Sequence, residues 1–105
     1  MDKEFVTYEQ AVALKELGFN EPCLGWYDEG GNLYIEMQEY LAAPLKQQVF
    51  RWFREKYGLY GVVDGLEKRL YYSITQLNSY SKEHDTYEEA EDACIDKLIQ
   101  LVKNE

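Results

Sequence analysis

The sequence predicts an α+β fold in the order helix, hairpin, helix, hairpin, helix. Three observations carry that expectation. Three segments show helical apolar periodicity with end signals, and two shorter segments alternate apolar and polar residues around glycine turns. The length of 105 residues suits one core, so a single domain over 1–105 is expected. Its expected architecture is an antiparallel sheet with the helices packed mainly on one face, because each amphipathic element must bury one side.

The first helix is expected over 8–17. Thr7 and Gln10 form a capping box, in which side chains and end amides satisfy one another, and Val6 with Ala11 sits where a hydrophobic staple would. Ala11, Leu14 and Leu17 make one stripe, and Gly18 is placed as the left-handed residue that ends the helix. Strands are then expected over 24–28 and 33–37, around the turn Glu29-Gly30-Gly31-Asn32. Leu33, Ile35 and Met37 alternate with Tyr34 and Glu36, which predicts one buried face.

Pro44 suits the first turn of a second helix. At about 100° per residue, Leu45, Val49, Phe50, Trp52, Phe53 and Tyr57 span an arc of about 160°. Arg51 and Arg54 fall on the opposite side with Gln47, Gln48 and Glu55. The rings of FRWFREKYGLYG are therefore core, and its arginines face away. Gly58 ends that helix, and strands are expected over 59–63 and 68–74 about an Asp64-Gly65 turn, with 76–85 as loop. Leu70, Tyr72 and Ile74 share one face, Tyr71 and Ser73 the other.

The last helix opens with Thr86 and Glu89 as a second capping box, carries acids early and Lys97 and Lys103 late, and so suits the helix dipole. Its apolar arc, about 240° wide, exceeds what a surface helix needs. Either the helix lies centrally across the sheet, or its spare edge meets another copy of the chain in a homodimer. KELGF and EKYGL, each a helix end leading into strands, hint at an αββ duplication.

Composition is that of a folded protein, 46% hydrophobic and 15% aromatic, without an apolar run long enough for a membrane span. The opening MDKEFVTYEQ has no signal-peptide character, which predicts a cytoplasmic protein with Cys23 and Cys94 reduced. The net charge of −9 is uneven: residues 1–43 hold nine acids and two bases, whereas 44–63 hold one acid and four bases. A net acidic chain repels phosphate and disfavours non-specific nucleic-acid binding.

Catalytic patterns are sparse. His84 is the single histidine, with no spaced N/S set for zinc. Neither cysteine has an evident histidine partner, and neither GxGxxG nor GxxxxGK[ST] occurs. No enzyme activity, metal or cofactor is expected. Ten tyrosines are more than a core of this size readily buries, and tyrosine favours binding surfaces. Tyr34 and Tyr71 are expected on the uncovered face of the sheet, where a plain shielding role is the alternative.

The segments TYEQAVALKELGFNEPCLGWYD, PLKQQVFRWFREKYGLYG and TYEEAEDACIDKLIQLVK resemble a family of small proteins of uncharacterised function from phages and mobile elements of gut anaerobic bacteria. The likeness is most specific in WFREKYGL and in the closing helix, and does not extend over 63–81. It implies a cytoplasmic context and an accessory role, with no activity or catalytic residue to carry over.

The leading expectation is a non-enzymatic module that binds a protein partner, with Arg51, Arg54, Lys46, Tyr34 and Tyr71 as its candidate surface. Two rivals stand beside it. One is an acidic mimic of nucleic acid that occupies a host DNA-binding protein. The other is a nucleic-acid-binding module using the basic face of 46–54, with Lys68 and Arg69 in addition.

Overall fold

The computed structural model describes residues 2–66, 69–77 and 79–104. The α+β class holds: three α-helices accompany two antiparallel sheets, where a single sheet was expected. The chain divides into two compact units, Met1–Val49 and Phe50–Glu105.

In the first unit, helix α1 (Tyr8–Glu16) starts at Thr7, whose hydroxyl accepts the Gln10 N–H at 3.1 Å while the Thr7 N–H donates to Gln10 Oε1 at 2.9 Å. The expected capping box is thus complete. Leu17 caps the other end, Gly18 takes a φ of 95°, and Phe19 N–H reaches back to the Leu14 carbonyl.

Strands β1 (Gly25–Tyr27) and β2 (Leu33–Ile35) form the expected first hairpin; β1 is one residue shorter at each end than expected, and β2 starts at Leu33 as expected but ends two residues early. A third strand, β3 (Leu41–Ala43), pairs with the other edge of β1, giving the order β2-β1-β3. Helix α1 packs on β3. Gly25 is required by crowding: a Cβ there would lie 2.7 Å from the Phe5 ring. Tyr27 crosses the core and donates its hydroxyl to the Val6 carbonyl at 2.6 Å. Helix α2 (Lys46–Tyr57) begins two residues after Pro44, whose carbonyl instead accepts the Val6 N–H.

In the second unit, the α2 rings interlock as the helical arc predicted. Trp52 meets Phe53 and Tyr57 edge-on at 5.0 and 5.5 Å, and Phe50, Trp52 and Phe53 are buried. Gly58, at φ 68°, turns the chain out of the helix. Strands β4 (Gly61–Leu66) and β5 (Arg69–Ile74) follow. Asp64 and Gly65 are not a turn: they lie inside β4, opposite Tyr71 and Leu70. The expected strand start at Lys68 lies outside the described residues.

The supposed loop over 76–85 holds more order than its polar composition suggested. A 3-10 turn (Thr75–Leu77) leads to β6 (Ser79–Tyr80), which pairs with β5, and His84 bridges back to Leu70. The Ser81 hydroxyl accepts the Tyr72 N–H at 2.9 Å and so extends the pairing. Gln76 bonds the Tyr60 N–H and the Gly58 carbonyl, which ties the turn to the start of β4.

Helix α3 (Tyr87–Lys103) is capped by Thr86, which accepts the Glu89 N–H at 3.1 Å. It packs across β4 and β5, burying Ala90, Cys94, Ile95, Leu98 and Ile99. Gly61 allows the close approach, since a Cβ there would lie 2.9 Å from Cys94 Sγ and 3.1 Å from Leu98 Cδ1. Both cysteines are free thiols. No helix among the described residues is long and apolar enough to cross a membrane.

Candidate interaction surface

Directly opposed residues of an antiparallel pair project to the same face. Gly61 faces α3, and therefore so do its partner Ile74 and the pair Val63 and Tyr72. The other face carries Val62 opposite Ser73, Ser73 opposite Tyr80, and Asp64 opposite Tyr71. Val62 is 49% exposed and Tyr80 73%. Tyr71 and Tyr80 are diagonal neighbours, and their rings meet edge-on at 5.0 Å with planes 79° apart. Tyr60, two residues before Val62, is also exposed. Asp64 and Arg69 share this face's parity, and Arg69 Nε lies 3.7 Å from Glu83 Oε1. The result is an apolar centre of Val62, Tyr71 and Tyr80 with the charged groups Asp64 and Arg69 on the same face.

Of the five residues selected from sequence, only Tyr71 lies on this face. Tyr34 belongs to the other sheet, which corrects the expectation that it shares a face with Tyr71. Its hydroxyl donates to Asp28 Oδ2 at 3.1 Å, and Asp28 Oδ1 accepts the N–H groups of Gly30 and Asn32 at 2.9 Å each. Tyr34 thus helps to close the first hairpin. The Asn32 backbone N–H, followed by the side chains of Asn32 and Tyr34 and the Gly30 N–H, lowers the pKa of the Asp28 carboxyl despite some desolvation, and the Tyr34 phenol is raised, chiefly by bonding that carboxylate.

Lys46 is the second correction. It is buried, with 3% of its surface exposed, and does not join an exposed basic face. The helical wheel contained this signal, because Lys46 sits about 100° from Leu45, inside the apolar arc. Its long stem is covered like that of any hydrocarbon side chain there. Arg51 and Arg54 are exposed as expected, on α2 and not on the sheet face; Arg51 Nε lies 4.0 Å from Glu55 Oε1. Arg69 is exposed on the sheet face, while Lys68 lies outside the described residues.

Sequence reasoning missed Tyr60, Val62 and Tyr80. Val62 and Tyr60 were available through period-two alternation, but Tyr80 sits on a strand too short to leave a pattern. Elsewhere the thiols are held protonated. Burial, then the nearby Glu91, pushes Cys94 up to about 12, and burial with Glu21 pushes Cys23 up to about 11. Among the described residues, no group of three or more His, Cys, Asp or Glu side chains is placed to hold a metal ion.

The chain matches no family model, no curated protein and no solved structure.

Proposed function

We propose that this chain is a non-enzymatic protein-binding module whose contact surface is the open face of β4, β5 and β6. The observation that carries this reading is the edge-packed pair of half-buried Tyr71 and exposed Tyr80 on the face that also carries exposed Val62. Tyrosine presents a large, stiff contact area that loses little entropy on binding. The proposed setting, a bacterial cytoplasm and an accessory role for a phage or mobile element, rests on the sequence resemblance alone.

Two double variants test the reading in affinity capture from nuclease-treated host lysate, followed by a binding titration with the purified partner. Tyr71→Ser/Tyr80→Ser removes the aromatic pair, and Arg51→Glu/Arg54→Glu reverses the charge of the α2 face. A captured protein whose affinity falls at least about tenfold with the first variant alone supports the sheet face. Loss only with the arginine variant moves the surface to α2. Equal retention by both variants, or no specific partner for the wild-type chain, overturns the proposal.

A further inference from the structure

The first unit carries a pocket that the binding reading does not use. Helix α1 supplies Ala11, Leu14 and Lys15, at spacings of three and four residues that place them on one helix face. Phe19, just beyond the helix, Trp26 on β1 and the segment Tyr40 to Ala42 complete the lining. The volume is about 150 Å³, comparable to cavities that accept one benzene ring. Five of the eight lining side chains are hydrocarbon or plain aromatic; Trp26 and Tyr40 each combine a ring with a polar tip, and Lys15 is charged.

The charged group beside this lining is the unusual part. Residues 1–43 hold nine acids and two bases, and Lys15 is one of those bases. Its ammonium lies over the Tyr40 ring, 5.6 Å from the centroid, and among the described residues no carboxylate pairs with it. Tyr40 itself is 56% exposed. A cation that lines an otherwise apolar pocket, on an acidic segment that offers many carboxylates elsewhere, is complementary to an anion whose remainder is apolar. A cation–π contact in solvent is worth little, about 0.5–1 kcal/mol, so the ammonium retains capacity for a stronger partner.

We infer that this pocket binds a small aromatic monocarboxylate, with its ring among Leu14, Phe19, Trp26 and Leu41 and its carboxylate on Lys15 Nζ. The volume limits the apolar part to about one ring. Bulkier bicyclic acids are therefore expected to bind more weakly than phenylacetate. The inference is independent of the proposed sheet-face function, since its residues and its readout belong to the first unit.

The test is a titration of the full chain with phenylacetate, followed by methyl and amide NMR at Ala11, Leu14, Leu41 and Ala42. The neutral isostere phenylacetamide and the exposed-site variants Lys15→Met and Lys15→Arg serve as comparisons. Saturable shifts with a Kd of about 1 mM or tighter are expected. Binding should weaken about tenfold for the amide and for Lys15→Met, and return in large part with Lys15→Arg. No saturation by roughly 20 mM phenylacetate overturns the inference. So does equal binding of acid and amide, because the lysine would then contribute no recognition.

Discussion

Gly61 shows how one missing methyl group sets the distance between a helix and a sheet. A Cβ on it would press on Cys94 Sγ at 2.9 Å, and Cys94 is fully buried and has little room to retreat. Overpacking of this kind costs about 1–3 kcal/mol, more than the roughly 0.5–1 kcal/mol that alanine gains over glycine within a strand. Gly61→Ala is therefore expected to lower stability in urea unfolding. The combination with Cys94→Ala should cost less than the two single changes added together, because the second removes the atom the first collides with.

Cys94 also predicts an alkaline limit. Burial favours the neutral thiol in the folded chain, so its folded pKa lies near 12, above the ordinary value near 9. As pH rises, the unfolded chain releases that proton first, and stability contributed below pH 9 is lost between about pH 9 and 12. Tyr72 and Tyr87 are raised by burial as well and act with the same sign. Cys94→Ala should accordingly make the loss of stability above pH 9 less steep without abolishing it. Glu36 offers a change in the other direction. It holds a φ of 60°, a conformation that costs a side-chain-bearing residue about 1 kcal/mol. Glu36→Asn, which tolerates that region better, is expected to raise the melting temperature or leave it unchanged.

At the scale of elements, the helices were readable because their signals are local. The Thr7 and Gln10 pair closes within three residues, and Thr7→Ala is expected to cost about 1 kcal/mol by thermal or denaturant unfolding. The α2 arc, the Gly18 and Gly58 stops and the Thr86 cap follow from the same short-range geometry. Strands β3 and β6 were not readable: β1 and β2 are as short as β3 but flank the Gly30-Gly31 turn, whereas β3 and β6 are specified by their partners β1 and β5. Asp64-Gly65 misled for a related reason: its turn chemistry is overridden by six consecutive pairings between β4 and β5. The candidate surface was legible only in part. Tyr71 could be assigned to a face by parity, whereas Tyr80 depended on a strand that the sequence did not announce. Lys46 was misjudged because residue type was weighed above its position on the helical wheel.

For the whole molecule, charge decides more than shape. A net charge of −9 and an isoelectric point near 4.6 make copies of the chain repel one another at long range at neutral pH, and solubility should reach its minimum near pH 4.6. A partner for the open sheet face is then expected to carry basic groups around its contact. Its association rate should fall as salt rises from about 0.05 to 0.3 M while its dissociation rate changes little, which stopped-flow or surface-based kinetics would measure. An association rate independent of salt would show that the aromatic centre acts without electrostatic steering.

Air should be a slow reagent for this protein. Oxidation of cysteine begins from the thiolate, and thiols with pKa values of about 12 and 11 present almost none at neutral pH. Material purified and stored without reductant is therefore expected to retain both thiols when assayed in denaturant. A cross-linked ladder on a non-reducing gel would then date the unfolding of the sample and would say nothing about native assembly.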